Sequence, residues 1–202
     1  EKEKQLKGDK LSAEELERLL IDNIYGIDLD EKAIDIAIFS LYITILDYKE
    51  PREIVDYKFP RLKYHEDSHD SARGQNFFQA DFLEWENPVF DFIKSKQFDF
   101  IIGNPPWGSI KTEENLAFID KCKNEGVIIS DYQIAQSFLI RAKDFSIEGI
   151  TKIALIVSSK IFYNDKAAAF REYILHNYKL DEIFNLSPVR RLIFKKAIGP
   201  AA

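Results

Sequence analysis

The sequence predicts an α/β fold around a mostly parallel sheet, and three observations carry that reading. Short apolar runs recur within residues 21–30, 77–80, 98–103 and 153–157. Segments of helical periodicity or long polar connections separate them, as crossovers between parallel strands require. Three consecutive runs end in side chains that carry chemistry: GIDLD (26–30), QADFLEW (79–85) and IIGNPPWG (101–108). In an open α/β sheet, ligands gather beyond the carboxyl ends of the strands.

In chain order, Ser12 with Glu15 three residues on makes a capping box for a helix through about Leu20. The stretch IDNIYGIDLD (21–30) reads as a strand. Glu31 to about Tyr48 is apolar on several faces and reads as a helix packed against a sheet. Residues 49–75 are charged and hold Pro51, Pro60 and Gly74, which marks a long loop or insertion. Phe77 to Ala80 is a strand ending at Asp81, and Phe98 to Gly103 is a buried strand. Residues 110–130 read as irregular and polar. Asp131 to about Phe145 reads as a helix stopped at Gly149, and Ile153 to Val157 is the clearest buried strand. A helix from about Asp165 to Tyr178 and a short strand near Ile183 to Leu186 complete the pattern.

At 202 residues the chain is long enough for one domain with a real core, and 46 % hydrophobic with 31 % charged residues describes a globular protein rather than a disordered one. Cys122 is the single cysteine, so no intrachain disulfide forms, which fits a reducing cytoplasm. The richest apolar run, Ala33 to Leu46, is interrupted by Asp35, Ser40 and Thr44, so no membrane span is expected. The formal net charge of −6 argues against binding nucleic acid over the whole surface, though not against a local basic patch. The sequence contains no methionine, opens in a charged run and stops at GPAA, so it reads as a piece of a longer protein, one partial domain over residues 1–202.

Each strand end admits a chemical reading and a plain one. Asp28 at a strand tip suits the two hydroxyls of a ribose, since a carboxylate accepts two hydrogen bonds, with Leu29 beside it to cover a flat ring. Asp28 or Asp30 would equally cap a helix beginning at Glu31, and Asp30 suits the cap better. Asp81 can accept from an exocyclic amine and Phe82 can pack on a purine, although an aromatic at that point also suits the core.

Asn104-Pro105-Pro106-Trp107 is the specific element. The lone pair of an adenine N6 amine is delocalised into the ring, so the amine is a poor nucleophile. Two acceptors aimed at its two hydrogens would hold it and favour tetrahedral character at nitrogen. Asn104 offers a side-chain carbonyl and Pro105 a backbone carbonyl, while the proline pair removes two N–H groups and stiffens the loop. Trp107 supplies a stacking face for a base drawn out of its helix. The plain alternative is a rigid turn with Trp107 folded onto the core.

On these motifs the chain resembles the S-adenosylmethionine-dependent DNA adenine-N6 methyltransferases. It is most similar to the branch found in type II restriction-modification enzymes that fuse cleavage and methylation. GIDLD, QADFLEW and IIGNPPWG resemble motifs II, III and IV in order. DYQIAQSFLIRAKDF (131–145) resembles motif V, and residues 150–175 resemble the strand and helix after it. IFKKAIGPAA (193–202) resembles motif VIII. The resemblance implies a Rossmann-like class I methyltransferase fold in which Asp28 holds the cofactor ribose. Asp81 takes the cofactor adenine's amine and Phe82 lies against its ring. Asn104 and Pro105 hold the target amine, and Trp107 and Phe194 sandwich the flipped adenine of a double-stranded DNA. It implies methyl transfer without a metal or a covalent intermediate. The family's Gly-rich motif I and its target-recognition domain have no counterpart here. The chain is therefore expected to house half a cofactor site and to bind S-adenosylmethionine weakly, with recognition and nuclease domains fused or associated elsewhere.

The remaining candidates are weaker. His65 and His69 in HEDSHD (65–70) read as a solvated charged loop rather than a metal site. Cys122 reads as a bystander and His176 as a helix-end residue suited to the dipole. Arg190, Arg191, Lys195 and Lys196 flank Phe194 and suit either a solvated face or DNA phosphates. Two rival functions stay open: methylation of a protein glutamine or an RNA amine, and a non-catalytic nucleic-acid-binding module on a methyltransferase fold.

Overall fold

A computed structural model describes residues 12–65, 74–193 and 202 of the chain. It divides into two compact units, Glu1–Asp81 and Phe82–Ala202.

The first unit begins with α1 (Ala13–Asn23), started by the expected capping box: the Ser12 hydroxyl accepts from the Glu15 amide at 3.2 Å and the Ser12 amide donates to the Glu15 carboxylate at 2.9 Å. The helix runs three residues beyond Leu20, so Ile21 to Asn23 are helical and not strand. The reason lies far along the chain. Asn76, 1 % exposed, donates its side-chain amide to the Ile21 carbonyl at 2.6 Å and the Ile24 carbonyl at 2.9 Å. It satisfies carbonyls that a helix end leaves open, where no glycine is present to do so.

β1 (Gly26–Asp28) follows and pairs in parallel with β2 (Phe77–Gln79), with Gly26 opposite Phe77 and Asp28 opposite Gln79. A Cβ at Gly26 would lie 2.6 Å from the Phe77 ring, so any larger residue there would have to displace that ring. Between the strands runs α2 (Glu31–Leu46), whose Ile34, Ile38 and Ile45 bury one face against Leu20, Leu62 and Phe77. The apolar residues on its other side, Ile36, Phe39 and Ile43, are exposed. The 49–75 connection is more ordered where described than its composition suggests. It carries a helical turn at Pro51–Ile54, and Leu62 is fully buried, worth roughly 1.5–3 kcal/mol of transfer free energy. The Tyr57 hydroxyl donates to Glu17 at 2.5 Å, and Lys63 pairs with Glu31 and Asp35 at 2.7 and 2.8 Å.

The second unit contains α3 (Val89–Lys94), β3 (Phe100–Gly103), α4 (Glu113–Asn124), α5 (Ile134–Ala142), β4 (Lys152–Leu155) and α6 (Ala168–Asn177). β3 and β4 pair in parallel, with Phe100 opposite Lys152 and Gly103 opposite Leu155. The core gathers Leu83, Phe118, Ile134, Ala135, Val157 and Phe170. Among the described residues, then, the strands form two separate two-stranded parallel sheets within a mixed α/β chain.

Three expectations for this unit need correction. Residues 110–130 are not irregular, since α4 occupies most of them. Thr112 caps it by accepting from the Asn115 amide at 3.2 Å, and Glu113 and Glu114 sit at its positive end. Its buried positions are Asn115, Phe118 and Cys122, so a polar residue stands on the inner face and hides the periodicity. Ile183 to Leu186 form no strand, and Ile183 and Phe184 are exposed. β3 is not fully buried either: Phe100 is 71 % and Ile102 78 % exposed, because one face of this two-stranded ladder is bare.

Asn76→Ala leaves at least two helix-end carbonyls without their donor in a buried setting. It should lower stability by about 1–3 kcal/mol in denaturant melts of the chain. Unchanged melting would remove Asn76 from the account of how α1 ends.

Candidate active site

In the first unit the two strand ends lie side by side. The Ala80 amide donates to the Asp28 carbonyl at 3.0 Å, one step beyond the ladder, so Asp28 and Asp81 leave the carboxyl ends of paired parallel strands. The acids of GIDLD divide their roles. Asp30 caps α2, its carboxylate accepting from the Lys32 amide at 2.9 Å. Asp28 is exposed, and one of its oxygens accepts from the Asp30 amide at 2.8 Å. That bond turns the carboxylate at the strand tip. Leu29 is 66 % exposed beside it, its carbonyl accepting from the Gln79 side chain at 3.4 Å, and Asp81 is half-buried. This unit therefore presents two carboxylates and an apolar side chain at one sheet edge.

Phe82 belongs to the second unit and sits in an aromatic cluster. Its ring centroid lies 5.0 Å from Phe138 and 5.4 Å from Phe145, the latter nearly parallel at 25°. Arg141, 1 % exposed, is packed among these rings, 4.9 Å from Phe90 and 5.0 Å from Phe145. Its Nε donates to the Phe82 carbonyl at 3.1 Å and its Nη1 to Asp144 at 2.5 Å, while Nη2 is buried with no hydrogen-bond partner. A buried guanidinium is costly, and here its bonds fix the backbone directly after Asp81.

The loop after β3 is built from opposite requirements on its two sides. The Gly103 carbonyl still accepts from the Ile156 amide at 3.0 Å, so the ladder is intact to its last residue. Asn104 follows, exposed, then Pro105, buried, and Pro106, exposed. Neither proline has an N–H to continue a ladder. Trp107 is half-buried and its indole N–H donates to the Ile156 carbonyl at 3.2 Å, which fixes the ring beside β4. Gly108 adopts φ +119°, a backbone angle that side chains disfavour. The chain thus turns out of the sheet within five residues and leaves the Asn104 carboxamide in solvent at the strand's carboxyl end.

Of the expected basic patch, Arg190 and Arg191 open a helical turn, Arg190–Ile193, with Arg191 exposed; Phe194, Lys195 and Lys196 lie outside the described residues. His65 is exposed, and His69 with its acidic neighbours also lies outside them. Among the described residues, no group of three or more His, Cys, Asp or Glu could hold a metal ion. No helix among them is long and apolar enough to cross a membrane. His176 occupies the last turn of α6, as expected.

Sequence reasoning missed Asn76, Asn115 and Arg141, the polar side chains that anchor the loops around these strand ends. No local pattern marks them, because partners that define them stand far along the sequence, 55 positions away for Asn76, 17 and 22 for Asn115 and 59 for Arg141.

A protein-family model described as Eco57I restriction-modification methylase matches residues 22–191 of the chain. No curated protein matches it. The matched span includes Asp28, Leu29, Asp81, Phe82 and Asn104 through Trp107, and it stops before Phe194.

Cys122 is 1 % exposed, and burial, opposed by the Lys121 ammonium and aided by the Glu125 and Asp144 carboxylates, pushes its thiol up to about 11. At pH 8 the thiolate is then roughly one part in a thousand. Iodoacetamide should leave native Cys122 unmodified and label it fully in denaturant, read by mass spectrometry. The same shift favours the fold below the ordinary value of 9.0 and is lost as pH climbs from there toward 11. Labelling of the native chain at the denatured rate would place the thiol in water.

Proposed function

The chain belongs to the Eco57I restriction-modification methylase family, and on that premise we propose that it is catalytic machinery of a site-specific DNA methyltransferase acting on adenine N6 with S-adenosylmethionine as methyl donor. The observation that carries the reading is the loop at the carboxyl end of β3. Asn104 stands exposed one residue past the last ladder bond, followed by Pro105 and Pro106.

Asn104 and Pro105 act as acceptors. The Asn104 side-chain carbonyl and the Pro105 main-chain carbonyl take the two hydrogens of the target amine, which draws the nitrogen lone pair out of conjugation. Pro105 and Pro106 add no N–H beside these acceptors. Proline stiffness and the Trp107 bond to Ile156 keep the loop from reorganising during reaction, which supports preorganised acceptors. Trp107 takes one face of the flipped base and Phe194 the other, and Arg190, Arg191, Lys195 and Lys196 meet the DNA backbone.

The donor fits the strand ends of the first unit. Two carboxylates at neighbouring strand ends suit a ribose diol and an exocyclic amine, and exposed Leu29 suits a flat ring. Asp28 would hold the ribose and Asp81 the amine. Bound there, S-adenosylmethionine supplies a methyl group on a sulfonium, electrophilic toward an amine. The family match favours DNA over a protein glutamine or an RNA amine as substrate.

Asn104→Ala in the intact methyltransferase removes one acceptor without touching the core. Methyl transfer from labelled donor to DNA should fall about a hundredfold or more, with the melting temperature unchanged. Wild-type transfer by that variant would take Asn104 out of the chemistry.

A further inference from the structure

We propose that Asn115 is a positioning residue for the amine-binding loop, clamping its far end to the 130–133 turn and the start of α5 so that the Asn104 and Pro105 carbonyls keep their direction. The inference rests on the role given to those carbonyls above.

The near end of the loop is held by the β3–β4 ladder. Its far end has no such support. After Gly108 the chain makes a short antiparallel contact with the turn before α5: the Ile134 amide donates to the Gly108 carbonyl at 3.2 Å and the Ile110 amide to the Tyr132 carbonyl at 3.1 Å. Ser109 pairs with Gln133 as one isolated bridge, and the Gln133 side-chain amide donates to the Ser109 hydroxyl at 2.9 Å. A two-stranded contact of this length is marginal by itself.

Asn115 makes it rigid. Its side chain is fully buried on the first turn of α4. Its Nδ2 donates to the Ile110 carbonyl at 2.5 Å and the Tyr132 carbonyl at 3.4 Å, and its Oδ1 accepts from the Ser137 hydroxyl at 2.7 Å. One carboxamide thus ties α4, the end of the loop, the turn and α5 together, with donor and acceptor both used. A second buried carboxamide, Gln136, braces the same turn: its Oε1 accepts from the Ser130 amide at 2.9 Å and its Nε2 donates to the Ser130 hydroxyl at 2.9 Å.

The turn itself is strained. Asp131 and Tyr132 adopt φ of 50° and 52°, two successive left-handed residues neither of which is glycine. Such angles persist where the surroundings over-determine them. Here the surroundings include Asn115 and Gln136, with Lys166 paired to Asp131 at 3.3 Å and Lys111 4.4 Å above the Tyr132 ring, and what the strained turn delivers is the Tyr132 carbonyl, which accepts from both Ile110 and Asn115. Apolar side chains would fill this space without fixing the loop's backbone; a saturated polar network fixes it in one arrangement.

The test uses Asn115→Asp, which keeps the volume and loses the amide donors, and Gln133→Ala, which removes only the outer tie to Ser109. Both are made in the intact methyltransferase alongside Asn104→Ala. Each clamp variant should lower kcat at unchanged donor KM, by about tenfold for Asn115→Asp and severalfold for Gln133→Ala; the melting temperature should hold in Gln133→Ala and fall in Asn115→Asp, where a carboxyl group faces two buried carbonyls. Independently of activity, the Ile110 amide should exchange with deuterium at least about tenfold faster in Asn115→Asp. Wild-type kcat in both variants, while Asn104→Ala is inactive, overturns the clamp and leaves the function standing. Wild-type activity of Asn104→Ala overturns the function instead. If Asn115→Asp does not fold, Gln133→Ala decides: a fall in kcat at unchanged melting supports the clamp, and no fall overturns it.

Discussion

Gly103 is the last residue of β3 whose carbonyl is taken up by the neighbouring strand segment, through the Ile156 amide at 3.0 Å. The next residue, Asn104, is followed by two residues with no N–H to give. Parallel pairing and the sudden loss of donors therefore meet at one point, and everything proposed about this chain depends on that junction. The ladder supplies a fixed origin. The prolines prevent the strand from continuing and remove the groups that would blur the loop's polarity. Trp107 then returns to β4 by bonding the Ile156 carbonyl, so the residue that accepts from the indole also donates to Gly103.

The loops around both strand ends are set by buried polar side chains more than by apolar packing. Asn76 ends α1 in the first unit, and Asn115, Gln136 and Arg141 fix loops in the second. Hydrophobic burial is non-directional and tolerates small shifts, whereas a buried carboxamide must meet its partners or leave them desolvated. That asymmetry is the physical reason for spending polar groups where main-chain carbonyls have to point in a set direction. Arg141 shows the cost, since one of its nitrogens is buried without a partner.

Much of this was legible in the sequence. The strand tip at Asp28, the Asp30 cap, the capping box at Ser12 and the α6 helix follow local rules of pattern and capping, and they fold as those rules require. What escaped was non-local. α4 looked irregular because Asn115 occupies a core position, and its burial makes sense only with Ile110, Tyr132 and Ser137 around it. β3 looked buried because its composition is apolar, yet composition cannot say whether a ladder's second face finds cover. Residues 183–186 have the apolar character of a strand but pair with no other strand among the described residues.

The reading turns on one kind of atom, an exocyclic amine nitrogen on adenine. Nucleoside mass spectrometry of DNA from cells expressing the intact methyltransferase tests it most directly. The account predicts N6-methyladenine, present with the wild-type protein and missing with the Asn104→Ala form. Methylated cytosine in its place, or DNA with no added methyl group from an enzyme shown to be folded and supplied with donor, would contradict it.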